Sequence, residues 1–196
     1  MRPKKISNEN ILSVVRQCLL EHGVSVSTQV IADRIGVSQA TLFKRFSTKE
    51  ALFLAAMSNH QPEKLLGLFR QPPNQQPMRQ QLLAMSIQML AFFNDVMPTF
   101  WILHSAGLEM PPMTHESPPV KARIALTNWL KRAQEQGQVR STIDAEAVAV
   151  GLIGAIQTRT LRTRIMNDTL DNSDEEYLRA IVSVFCDGLE PATESS

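Results

Sequence analysis

Apolar residues recur at three- and four-residue spacing along most of the chain, which predicts helices joined by short polar breaks and no convincing strand. A first helix is expected from a Ser7 cap to His22, stopping at Gly23, with Ile11, Val14, Val15, Cys18 and Leu19 as its stripe. The second begins after Ser27 or Thr28 and carries Val30, Ile31 and Ile35, while Ala32 is small enough for another helix to pack close. Gly36 then sits where a left-handed turn residue is needed. Ser38 caps a third helix whose apolar stripe is Leu42 and Phe46. Ser47 and Glu50 are expected to form a capping box that starts a fourth helix at once, running to about Phe69. Three prolines between Gln71 and Pro77 mark a break. Further helices are predicted over 78–96, 98–108, 117–136, 144–166 and 173–188, with Ser117-Pro118 as one cap and Ser173 with Glu176 as another capping box. The fold class is therefore all-α, with about nine helices: a three-helix head at 1–47, then a connector helix and a helical body at 48–196.

The stretch from Val30 to Phe46 reads as a helix-turn-helix. The outer face of its second helix carries Gln39, Ala40, Thr41, Phe43, Lys44 and Arg45. A short, polar and basic face suits the major groove, where Gln pairs with adenine and Lys or Arg with guanine. Gln39 and Lys44 are the candidate base readers, with Thr41 and Arg45 reaching bases or phosphates. Ser27, Thr28, Ser38 and Phe43 are candidates for positioning against the DNA backbone. Lys49, in the first turn of the fourth helix, has the place of a phosphate clamp, since its charge adds to the helix dipole. Two short helices around a glycine also occur as a plain structural hairpin, and both readings stand on this pattern alone.

At these residues the chain resembles the TetR family of bacterial transcriptional regulators. The family pattern appears as Ile31-Ala32, Gly36-Val37-Ser38, Thr41-Leu42-Phe43-Lys44-Arg45-Phe46 and Lys49-Glu50-Ala51-Leu52, in order and at matching spacing, over about residues 8 to 54. Two positions depart from it. Phe43 stands where the family usually has a phosphate-bonding Tyr, and Arg45 where a His is common. The resemblance implies a homodimeric repressor that reads a palindromic DNA operator and leaves it when a small apolar or aromatic effector binds the body and shifts the fourth helix. A constitutive DNA-binding or architectural factor without an effector, and an activator, are the alternatives.

Charge supports the division. The net charge is +1, yet residues 1 to 50 carry +4 and residues 51 to 196 carry −3, as expected of a basic DNA-contacting end joined to an acidic body. The basic Met1-Arg2-Pro3-Lys4-Lys5 has no apolar stretch after it, so it reads as an arm that touches phosphates or as a solvated tail. The most apolar segment, 147–156, is too short to span a bilayer. Two cysteines without metal-ligand spacing fit a reducing cytoplasm. No nucleophile and base pair, metal cluster or cofactor motif is present, and the spacing of Asp95, His104, Glu109 and His115 is unconvincing for catalysis. The chain is expected to be no enzyme and to take no cofactor or metal.

In the body, Met85, Met89, Phe92, Phe93, Met97, Phe100, Trp101, Met110 and Met113 make a methionine-rich, aromatic sector. Methionine is flexible and polarizable, so the sector suits an apolar effector, with Trp101 and His104 as polar handles; ordinary core packing is the other reading. The eighth helix is apolar nearly all round, with Ala147, Gly151, Gly154, Ala155 and Thr158 as a small-residue side. With Tyr177, Ile181, Val184 and Phe185 of the last helix it is expected to form a four-helix dimer interface, as the resemblance implies; an internal helix of the monomer is the other reading.

Overall fold

The computed structural model describes residues 6–58, 62–112 and 114–187. Among these there are nine α-helices and no strand: α1 (Asn8–His22), α2 (Thr28–Ile35), α3 (Gln39–Phe46), α4 (Lys49–Ser58), α5 (Pro62–Arg70), α6 (Met78–Ser105), α7 (Pro118–Glu135), α8 (Ala145–Thr160) and α9 (Asp174–Asp187). The chain packs as two compact units. Of the described residues, the first takes 6–58 with 95–112, and the second takes 62–94 with 114–187. The expected basic arm, Met113 and the final residue of the predicted last helix lie outside the described residues.

In the first unit, Ile11, Val15, Cys18 and Leu19 of α1 meet Ile31 and Ala32 of α2, Leu42 of α3, and Leu52, Phe53 and Ala56 of α4 in one buried core. Leu103, near the end of α6, is fully buried in the same core, and Ile102, Leu108 and Met110 pack against it. The packed head thus extends past residue 47, to α4 and to a segment far along the sequence. Burying each such Leu or Ile contributes about 1.5–3 kcal/mol.

Local signals set most helix starts. Ser7, Ser27 and Ser38 have extended backbones, and their hydroxyls accept from the N–H three residues on, each at 3.2 Å. Each such cap contributes about 1 kcal/mol. At α4 the expected box gives way to another cap. Ser47, at φ 63°, closes α3, and the Thr48 hydroxyl accepts from Ala51 N at 3.0 Å. Ser117 holds the cap position of α7 with Pro118 in its first turn, but its hydroxyl accepts from Thr114 N at 2.9 Å and leaves the helix N–H groups alone.

Two expected boundaries move. The fourth helix, read as continuous to about Phe69, is two described helices, α4 and α5. The helices read at 78–96 and 98–108 are one, because α6 runs straight through Pro98. An interior proline removes one backbone bond and costs about 3 kcal/mol. The turns on either side carry the buried Phe93 and Leu103, whose burial offsets that cost.

In the second unit, α7 buries Ala122, Leu126, Trp129, Leu130 and Ala133 at helical spacing against α5 and α8. α8 buries Ala145, Ala149, Leu152 and Ile156, and α9 buries Leu178 and Val182. After Thr160, α8 continues as one π turn, Leu161–Ile165. The buried Arg159 guanidinium joins α8 to the start of α9, donating to Asp174 Oδ1 (2.7 Å), Asn172 Oδ1 (2.8 Å) and Asn172 O (2.7 Å) and lying 5.1 Å from the Tyr177 ring centroid. The predicted Ser173–Glu176 box forms in full, with Ser173 N donating to Glu176 Oε2 and Glu176 N to Ser173 Oγ.

Candidate nucleic-acid interface

The turn between α2 and α3 follows from one left-handed residue. Gly36, at φ 79° and ψ 36°, lets its own N–H and that of Val37 return to Ala32 O at 2.9 and 3.0 Å, closing α2. Ser38 restarts the chain as α3, and Leu42 anchors that helix in the core below. What remains outside is a surface of Ala40, Phe43, Lys44 and Arg45, with Gln39 and Thr41 half-buried at its edge.

Side-chain bonds divide the candidates. Gln39 Nε2 donates to Thr28 Oγ1 at 3.0 Å, holding the start of α3 against the start of α2. Ser38 Oγ and Thr41 Oγ1 are 2.9 Å apart and share a hydrogen bond. Arg45 donates to Ile6 O (2.7 Å) and to Asn8 Oδ1 (3.2 Å), tying the start of α1 and Ile6 ahead of it to α3. On α3, Lys44 is the exposed cation with no partner among the described residues. Phe43, 39 % exposed, puts an apolar ring on the same surface, suited to a thymine methyl or a sugar face.

Lys49 is placed otherwise than its position suggested. Its ammonium donates to Val24 O at 2.9 Å and lies 5.3 Å from the Phe53 ring centroid, so it is half-buried and engaged within the head. A lysine held by a carbonyl and an aromatic face is a brace between the α1–α2 connection and α4. Nothing in its sequence spacing signalled this, because the acceptor is a backbone atom 25 residues away.

The methionine-rich candidates do not fall in one unit. Met85, Met89 and Phe93 are buried in the second, where Phe93 makes an edge contact with the half-buried Phe92 (5.7 Å between centroids). Trp101, His104 and Met110 belong to the first, in which the Phe100 ring stacks on His104 at 5.7 Å and meets Trp101 edge-on at 6.1 Å. Trp101 Nε1 is buried without a hydrogen-bond partner among the described residues, as are Ser86 Oγ and Thr99 Oγ1.

On α8 the small residues point two ways. Gly151 faces the Phe185 ring within the chain, and Ala155 O accepts from the Tyr177 hydroxyl at 2.8 Å. Gly154 has open space where a Cβ would stand, and Thr158 is exposed. With Val150 and Val184 each about half exposed, and Ile181 partly so, α8 and α9 present an apolar strip to the outside. Among the described residues no group of three or more His, Cys, Asp or Glu could hold a metal, and no helix is long and apolar enough to cross a membrane.

Residues 11–56 match the family model described as bacterial regulatory proteins, tetR family. Solved structures share the fold at low identity. A TetR transcriptional regulator from Streptomyces coelicolor is 22 % identical, with 95 % of this chain and 99 % of that one covered and a TM-score of 0.58. The TetR-family regulator PfmR from Thermus thermophilus is 20 % identical over 92 % and 99 %, with a TM-score of 0.68. FadR from Bacillus subtilis, solved in complex with stearoyl-CoA, is 14 % identical over 94 % and 100 %, with a TM-score of 0.69. No curated protein matches the sequence.

Proposed function

We propose, on the premise that this chain is a TetR-family DNA-binding transcriptional regulator, that it acts as a homodimeric repressor released from its operator by a small molecule. The observation that carries this reading is α3 itself: a helix anchored by Leu42 beneath and presenting Phe43, Lys44 and Arg45 outward, right after a glycine turn. Two such helices about 34 Å apart would enter successive major grooves and read a palindrome. Lys44 reads or approaches bases, Gln39 and Thr41 contact DNA from the edge of the surface, and Ser27, Thr28, Ser38 and Ala40 lie along the same face. Arg45 serves the interface by fixing the chain before α1.

The apolar strip of Val150, Gly154, Thr158, Ile181 and Val184 supports duplication through α8 and α9, since an exposed apolar face on two adjacent helices gains most by covering itself. Gly151, Ala155 and Phe185 then act beneath that surface, setting how closely the two helices pack. Effector control is favoured by the likeness to a regulator solved with stearoyl-CoA and by the adaptable Met85, Met89, Phe92 and Phe93 sector. An effector works by binding better to a dimer whose heads are off operator spacing. Gel-shift titration with acyl-CoA and aromatic candidates tests this. Release of the operator by a ligand that binds the body supports it; an operator complex indifferent to every such ligand leaves a constitutive factor in its place.

A further inference from the structure

The second unit contains a cavity of about 150 Å3, partly open to solvent, that the methionine-rich sector does not line. Its walls come from the first turns of α6 (Leu82), the end of α7 (Leu130), the start of α8 (Ala145 and Val148) and the end of α9 (Phe185 and Cys186). The connection between α7 and α8 closes one side, supplying Val139, Ile143 and Arg140. That connection is firmly built: Gly137 at φ 71° turns it, and Gln134 Nε2 donates to both Arg140 O (2.9 Å) and Ile143 O (2.7 Å). Gln138 is engaged elsewhere, its Nε2 donating to Asn74 O at 2.6 Å. Arg140 is different. Its backbone is pinned, while its guanidinium is exposed and has no partner among the described residues.

An apolar hollow of this size takes a benzene-sized group, and a cation at its edge supplies what such a group alone would not attract. We propose that this cavity binds a small aromatic or branched monocarboxylate, its apolar part between Leu82, Leu130, Val148 and Phe185 and its carboxylate on Arg140. Arg79, beside Cys186 in the chain fold, is already occupied by Ser183 Oγ and Asp187 Oδ1, both at 2.6 Å, so Asp187 is neutralised locally. The proposal concerns ligand binding only and stands whether or not the operator reading holds.

The wall also carries its own reporter. Cys186 lines the cavity and is partly accessible, whereas Cys18 is fully buried, so alkylation of the native protein reads Cys186. The experiment measures benzoate and uncharged benzyl alcohol by calorimetry and by their slowing of Cys186 alkylation, in the full chain, in Arg140→Gln and in Val148→Phe. For so small a ligand a Kd of about 0.1–1 mM is expected. Benzoate should protect Cys186 in the wild type, bind about fivefold more weakly to Arg140→Gln, and lose protection in Val148→Phe, whose ring fills the space. Because Arg140 is exposed, its variant folds even if Val148→Phe does not. Benzyl alcohol binding as well as benzoate, unchanged affinity in Arg140→Gln, or no protection of Cys186 at about 10 mM benzoate overturns the proposal.

Discussion

The Phe185 ring of α9 lies 3.0 Å, at its Cζ, from the point where a Cβ on Gly151 of α8 would stand. Glycine at that position leaves room for the ring, which even a methyl group there would press aside by a few tenths of an ångström. A β-branched side chain there must displace the ring. Gly151→Val is expected to lower stability by about 1–3 kcal/mol in chemical denaturation. Gly67→Ala, where a Cβ meets nothing within 4 Å, should raise it by up to about 1 kcal/mol through helix propensity. Equal effects of the two substitutions would contradict this account of α8 and α9.

The exposed strip predicts a separable self-association. Val150→Glu combined with Val184→Glu places charges on an outer surface left half exposed by the described residues, so helix content should be unchanged while the particle mass halves by light scattering. A variant that keeps the wild-type mass would place the contact elsewhere.

The two lysines of the head should behave differently. Lys44→Ala removes a free charge from the recognition surface and should lower the salt slope of operator binding by about one. Lys49→Ala removes a brace on Val24 O and Phe53, so it should cost about 1–3 kcal/mol of stability and leave that slope nearly unchanged. Thermal unfolding and binding isotherms at several salt concentrations distinguish them. A slope change confined to Lys49→Ala would reverse the assignment.

The capping box at α9 predicts an acid-dependent contribution. Hydrogen bonds from Ser173, first from its backbone N–H and then from its hydroxyl, hold the Glu176 carboxyl below its ordinary value of 4.5. A lowered folded value means that the stabilisation is present above the unfolded value and fades as pH falls through the folded one. Glu176→Gln should therefore be less stable than the wild type at neutral pH, with the gap closing below about pH 4. A gap that persists in acid would show that the cap acts through its shape alone.

Much of this was legible in the sequence where the determinant is local. Ser7, Ser27 and Ser38 cap because a short hydroxyl reaches the N–H three residues on, and Gly36 turns because it tolerates a positive φ. The apolar period placed the core of α1 for the same reason, whereas in α9 it picked out Tyr177, Ile181, Val184 and Phe185 and the buried residues are Leu178 and Val182. What the sequence concealed depends on distant partners. Pro98 looked like a boundary, yet α6 continues because its neighbours are buried. Lys49 looked like a phosphate clamp, yet its acceptor is Val24 O. Trp101, His104 and Met110 looked like one sector with Met85 and Met89, and packing assigns them to another unit. The cavity beside Cys186 had no sequence signal, since four stretches far apart along the chain line it.

The most direct measurement is selection of bound duplexes from a randomised pool, followed by the stoichiometry of the enriched site. The account predicts a palindrome with half-sites about one helical turn apart, two chains per duplex, and loss of enrichment in Lys44→Ala. Failure to enrich any sequence, or one chain bound to an asymmetric site, would contradict it.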